Sequence, residues 1–490
     1  MDIAQRMTVP ARDGGTSQPS LARAGASQPL LALAGASLPL LAATVSTLAM
    51  PALTLDVVLS FAILGFAVSL QAWQALRGRA ATAVDASVFS FCLMFLLVGP
   101  LVQFGVQGWN LVNTVHAQPE LVVRTNLACA LFCAVYALAR MTVLRDAAGA
   151  TAAVAAPSRL QPSLFGLAAL AALSVLITLI AMSLAGASAA DQGTATVLLA
   201  FRKFVFFIPT ALLLVLVAAW PGFELRRSFP AWLLLALMLV CVLLTQNPGT
   251  EKRNALGPVY LSLLFLVLRH RLSLRGVQSA LLVAVLLVLF PFMSLFTHVR
   301  IERLVADDFG WHIYSEHFLS VHYDAWANVY AAVERVERRG LMGGEQLSGA
   351  LLFFVPSTWW SDKPLASGIV IARYLMDHYT MWFTNLSAPL PSEGYLDFGY
   401  PGVAAYALAM AALARALQRM ATAGRGATAL AVAVYLSFFS VFLLRGSLMV
   451  AVAYGSGALV AFGVAHLLLR ALGRTASRPR GHWALPGGTR

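Results

Sequence analysis

The 490-residue chain is 59% hydrophobic and only 11% charged, with a mean hydropathy of +0.77 and a formal net charge of +13. That composition excludes an ordinary soluble domain. Cys92, Cys129, Cys133 and Cys241 all fall in apolar stretches, so they read as small core residues and imply neither a disulfide framework nor a metal site.

Apolar runs of about 20 residues, long enough to cross the ~30 Å hydrocarbon core, recur along the chain. They lie near 30–50, 53–76, 86–106, 122–143, 162–185, 198–219, 229–246, 254–270, 277–297, 398–417, 427–445 and 447–470. These segments predict an all-α polytopic membrane protein of about 12 transmembrane helices, counted from the sequence itself. Residues 1–28, rich in Ala, Ser, Gly, Gln and Pro, have little to bury and are expected to form a disordered cytoplasmic N-terminus. The first apolar segment grows out of a decapeptide echo, SQPSLARAGA, SQPLLALAGA, SLPLLAATVS, in which only the later copies are apolar. No cleavable signal peptide stands out, so the first helices are expected to act as uncleaved anchors. Helices 1–9 then fill 29–297, a large loop spans 298–397, helices 10–12 fill 398–470 and a basic tail runs over 471–490.

With the N-terminus inside, alternation of the spans gathers most arginines on the side of both termini. Arg6, Arg77, Arg79, Arg140, Arg226, Arg227, Arg269, Arg415 and the tail arginines all fall there, with few acids among them. This is the positive-inside pattern. The basic excess therefore sets topology and implies no nucleic-acid partner, and the large loop faces outward. No GxxxxGK[ST] motif occurs, so ATP energy is not expected from this polypeptide.

Within the loop, Ser320 to Arg339 reads as a helix. Tyr323, Trp326, Tyr330, Val333 and Val336 share one face, and Asp324, Asn328 and Glu334 lie opposite or beside it. Gly340, Gly343 and Gly344 end it. The loop is expected to pack onto the bundle as a lid. Leu347 to Val355 is apolar but too short to span, so it is expected to dip into the membrane or lie along it. Trp359, Trp360, Trp382 and Tyr395 would mark the interface level.

Charges inside or beside spans are costly and point to function by default. Arg202 and Lys203 lie near the outer start of one span, Lys252 and Arg253 in the outer turn NPGTEKRN, and Arg445 at the end of the span before the last. With Lys363 and Arg373 of the loop they would line an outward cationic pocket. Such a pocket suits a membrane-bound pyrophosphate, because arginine grips phosphate oxygens as a bidentate fork. The plainer reading of each is a side chain snorkelling to lipid headgroups. Glu393, in PLPSEGYLDFG, is placed to take a proton from a sugar hydroxyl as general base, or else to serve as a turn or capping carboxylate. Asp324 is a weaker substrate contact that would equally cover a solvated helix face, and Asp397 reads as a helix cap. His298, His312, His317, His322 and His378 match no metal-binding spacing, so no metal site is expected.

Five pieces carry a resemblance: VGPLVQ at 98–103, NPGTEKRNALGPVY at 247–260, GEQLSGALLFFVPSTWWSDKPLASG at 344–368, NLSAPLPSEGYLDFGYPG at 385–402 and LLRGS at 443–447. Through them the chain resembles the O-antigen polysaccharide polymerases, the oligosaccharide repeat-unit polymerases of the Wzy type. One departure is Ser357, where a basic residue is expected after FVP; it moves the phosphate role toward Lys363. The resemblance implies a multi-pass glycosyltransferase of the bacterial inner membrane, with both termini cytoplasmic and the large loop periplasmic. Such an enzyme moves a growing glycan from undecaprenyl diphosphate to the terminal sugar of a newly flipped lipid-linked repeat unit, without metal or cofactor. A chain-length regulator would be its partner.

That chemistry asks for cations at the leaving diphosphate, expected from Arg253, Arg445, Arg202 and Lys363 with Lys203 and Lys252 beside them. It asks for a base, expected from Glu393, and for sugar-stacking rings, expected from Trp359, Trp360 and Tyr395. Two other readings stay open. A ligase moving finished glycan onto the lipid A core of lipopolysaccharide would use the same donor. A secondary transporter would also have twelve spans, although the internal repeats expected of one are not visible.

Overall fold

The structure, a computed structural model, describes residues 20–50, 52–77, 82–143, 160–185, 204–222, 224–248, 253–272, 276–289, 317–356, 358–423 and 426–475. Helix occupies each apolar segment: α1 (Ser20–Leu48), α2 (Leu55–Arg77), α3 (Val84–Gln107), α4 (Pro119–Met141), α5 (Leu164–Ala185), α6 (Ile208–Ala219), α7 (Phe229–Thr245), α8 (Arg253–Leu272) and α9 (Val277–Ala284). The loop contributes α10 (Ala325–Arg339), α11 (Glu345–Leu351) and α12 (Ser367–His378), followed by α13 (Leu390–Thr422), α14 (Ala427–Arg445) and α15 (Leu448–Leu472). Apart from a short antiparallel pair joining residues 160–162 to 473–475 and a single bridge between Asn110 and His116, the regular structure of the described residues is helical. Among the described residues, seven helices are long and apolar enough to cross a membrane: α2, α3, α4, α5, α13, α14 and α15. Those over 33–48, 208–219, 229–245, 255–269 and 277–288 are shorter apolar helices. This is an all-α membrane protein.

Helix α1 begins at Ser20, inside the stretch expected to be disordered. Alanine and leucine there favour helix strongly enough to carry it upstream. In α3, residues Cys92–Val98 widen into a π-helix just ahead of Gly99 and Pro100. Proline has no N–H to donate and crowds the carbonyl four residues back, and the wider turn makes room for both defects.

Two cores fill the bundle. One gathers α1 to α4 with α10, α12 and most of α13, from Leu390 to Leu417; the other gathers α5 to α9 with α14 and α15. Helix α10 packs onto the bundle and is enclosed there. After a 3-10 turn at Val321–Tyr323, every residue from Ala325 to Glu334 is buried. Its aromatic face packs Trp326 against Phe61 and Phe104. Its polar face is just as enclosed: Asn328 donates to Asp324 Oδ2 (2.8 Å) and to the Ser387 hydroxyl (3.0 Å), and Glu334 Oε1 accepts from Arg338 (2.7 Å). Polar atoms elsewhere along the helix also find partners inside. The indole of Trp326 donates to Asn126 (2.9 Å), the Asn113 amide donates to the Ala327 carbonyl (2.8 Å), and Gln118 N donates to the Tyr330 hydroxyl (2.9 Å). An amphipathic helix whose polar groups are satisfied inside needs no solvent face.

Helix α13 starts at Leu390, eight residues ahead of the expected span at 398, and is bent at Gly399 (φ 65°, ψ −146°). The motif SEGYLDFGYPG explains the bend. Gly399 takes the left-handed backbone open to glycine, Pro401 cannot continue the ladder, and Gly402 lets the two arms close. A Cβ on Gly402 would lie 2.0 Å from the Gly394 carbonyl oxygen. Gly402→Ala is therefore expected to cost about 1–3 kcal/mol through overpacking. Thermal unfolding in detergent checks this; an unchanged midpoint would mean that the arms separate freely.

Candidate functional site

The turn between α14 and α15, Arg445-Gly446-Ser447-Leu448, holds the loop to the bundle at several points. Arg445, the last residue of α14, donates from Nη2 to the His322 carbonyl (3.1 Å), the Val321 carbonyl (3.4 Å) and Asp324 Oδ1 (3.2 Å). Its guanidinium lies over Phe95, 5.6 Å from the ring centre. Asp324 is 2% exposed, so its charge needs these partners. It also accepts from the Ser387 hydroxyl (2.7 Å) and the Asn328 amide (2.8 Å). Asp324 is thus an enclosed carboxylate that orients Arg445, in place of the solvated face that was the alternative. The arginine keeps 23% of its side chain exposed.

Glu393 stands at the other end of the same turn. It lies on the first turn of α13, inside the helix and not in a loop ahead of it, and is 1% exposed. Oε1 accepts from Leu448 N (2.7 Å) and from the Ser367 hydroxyl. Beside it, Gly368 N donates to the Ser447 hydroxyl (2.9 Å). The N-terminal turns of α12 and α15 therefore converge on one carboxylate. Gly368 is required there, because a Cβ would come within 2.3 Å of the Leu386 carbonyl oxygen.

The other predicted positions fall apart from this junction or within other contacts. Lys363 is half-buried and donates to the carbonyls of Phe353 (2.6 Å) and Val355 (2.7 Å). Trp359 is exposed and Trp360 half-buried. Tyr395 corrects the expectation of a sugar platform: it is buried, edge-on to Tyr400 at 5.2 Å, because the early start of α13 turns it inward. Asp397 caps α11, accepting from Gln346 N (3.0 Å) and Leu347 N (2.9 Å), and not the helix that follows it. Arg253 opens α8. Its side chain, and all of Arg202, Lys203 and Lys252, lie outside the described residues.

Ser367, Ser387 and Phe95 escaped the sequence reading, which put Asn328 beside the helix face without giving it a role. Asn328 was within reach, one helical turn after Asp324. Ser387 and Phe95 come from remote segments and carry no local signal. Chemically, the junction offers a partly exposed guanidinium for an anion and a carboxylate held by neutral donors.

Comparisons with models of known protein families, with curated proteins and with solved structures return no match for this chain.

Proposed function

We propose that this protein is a metal-independent integral-membrane glycosyltransferase. It polymerises undecaprenyl-diphosphate-linked repeat units into O-antigen or a related surface polysaccharide at the outer face of the bacterial inner membrane. The observation that carries the reading is the single turn holding Arg445 to Asp324 and Leu448 N to Glu393. A guanidinium and a carboxylate thereby meet at one turn, the two groups that a leaving diphosphate and an acceptor hydroxyl would call for.

In this reading a hydroxyl of the acceptor's terminal sugar attacks the anomeric carbon of the donor glycan. The carbon–oxygen bond to the lipid diphosphate breaks, and the electron pair leaves with the diphosphate. Arg445 meets the developing charge, and Asp324 keeps the guanidinium aimed. Glu393 takes the hydroxyl proton. Lys363 braces the segment after α11, and Arg253 is assigned to the diphosphate.

All twelve helical segments would span, with both termini cytoplasmic. The contacts between connections support that arrangement. Asp85 meets Arg140, and Thr82 meets Gln418, all at ends assigned to the cytoplasm. Arg124 pairs with Glu337 at ends assigned to the periplasm. A chain-length regulator would bind the same complex.

Deletion of the gene in its source bacterium tests the reading. Surface glycan is expected to collapse to a core carrying a single repeat, with wild-type complementation restoring the long ladder. Bare core with accumulated lipid-linked polymer would instead make the protein a ligase. An unchanged ladder would leave transport as the better account.

A further inference from the structure

Between Glu345 and Asp362 the sequence carries no charge, and four of its large apolar side chains point outward while Leu347, Phe353, Val355 and Trp360 are half-buried. Leu351 is 63% exposed, Leu352 42%, Phe354 67% and Trp359 83%. Soluble surfaces scatter such residues singly and seldom cluster them.

Much of the segment's backbone bonds within the segment. Leu352 N donates to Ser348 O (2.9 Å), Val355 N to Leu352 O (3.0 Å), and Trp359 N and Trp360 N to Pro356 O (3.0 and 3.2 Å). Lys363 N donates to Trp360 O (3.1 Å), and its ammonium covers the carbonyls of Phe353 and Val355. A turn facing water can leave such groups to solvent. Where water is scarce, each must be satisfied within the protein.

The segment is also fixed beside a spanning helix. Asp397 caps α11 at Gln346 N and Leu347 N. A Cβ on Gly349 would come within 2.6 Å of Met449 at the start of α15 and 3.2 Å of Pro364. Further along, α15 exposes Leu459, Val460 and Leu467, an apolar surface continuous in kind with the tip.

We propose that residues 345–365 form a lipid-embedded anchor. Leu351, Leu352, Phe354 and Trp359 enter the headgroup–acyl boundary of the leaflet next to the N-terminal end of α15, and Lys363 makes the turn compatible with that depth. The occupant of this surface is the bilayer. Tryptophan suits such a level, with an apolar ring and one polar N–H. The anchor depends on the membrane location alone and not on the transferase reading.

The test uses the full chain in vesicles of phosphatidylethanolamine and phosphatidylglycerol, carrying an environment-sensitive fluorophore on Phe354→Cys. The native cysteines are buried and leave the new thiol as the reactive one. Arg373→Cys, at an exposed position of α12, serves as the aqueous control. Doxyl-labelled lipid is expected to quench the Phe354 probe about threefold and the control little, with the reverse order for aqueous iodide, for an anchor sunk ~5–10 Å. Adding Lys363→Gln is expected to raise iodide access to the tip. If the Phe354 variant fails to fold, Leu351→Cys gives the same reading. Iodide quenching equal to the control would overturn the proposal. So would shielding from both quenchers together with concentration-dependent energy transfer, which would place a second copy of the chain on the tip.

Discussion

Glu393→Gln is expected to leave the protein folded in the membrane while cutting polymer formation about 10²–10⁴-fold, the usual contribution of a general base. The geometry makes this substitution discriminating. Both observed partners of Glu393, Leu448 N and the Ser367 hydroxyl, are donors. A glutamine oxygen accepts from both, so the junction of α12, α13 and α15 keeps its hydrogen bonds and loses only the ability to take a proton. Glu393→Ala is different. It orphans a buried backbone N–H and a buried hydroxyl, at a cost of about 1–3 kcal/mol each, and should lower membrane levels as well as activity. The measurement is the glycan ladder in the complemented deletion strain, normalised to membrane protein by immunoblot. A full-length ladder from Glu393→Gln would reduce the carboxylate to a structural clasp. In the same strain Arg445→Lys is expected to shorten the ladder as well, because an ammonium offers a point charge where the guanidinium offers a fork.

The helical layout was legible because apolar length is a strong signal in a membrane. The loop was harder, and α10 shows why. Its periodicity correctly placed Trp326 and Tyr330 on one face, and Asp324 and Asn328 read equally well as solvated. Their burial depends on Asn113, Ser387 and Arg445, which lie far along the chain and cannot be paired by inspection. Tyr395 failed for a related reason. Aromatic residues near a span are read as interfacial, but the Gly399 bend extends α13 upstream and carries Tyr395 into the core. Glu393 and Arg445 stood out as isolated charges beside apolar runs. Their connection through one turn appears only in three dimensions.

The charge pattern concealed one further feature, and it leads to the largest stability effect expected of a single substitution here. Arg140 counts toward the positive-inside excess, yet its side chain is 1% exposed and bound to Asp85. Nε donates to Oδ1 (3.0 Å), Nη2 donates to Oδ2 (2.8 Å), and the Tyr136 hydroxyl adds a third donor to Oδ1 (2.6 Å). Asp85→Ala would leave a buried guanidinium without its counter-charge and is expected to destabilise the protein by about 3–5 kcal/mol. Arg140→Met alone would strand the carboxylate at a similar cost. Combining Asp85→Ala with Arg140→Met should recover much of the loss, because an apolar replacement of a buried ion pair is often near neutral. Cys92, Cys129 and Cys133 lie buried on the two helices that carry the pair, so a thiol-reactive dye reports the opening of this part of the bundle directly. Equal melting of Asp85→Ala and wild type would show that water reaches Arg140 and solvates it. If instead the double variant melts no higher than the singles, the pair holds α3 to α4 by shape, and the charge on Arg140 matters only for topology.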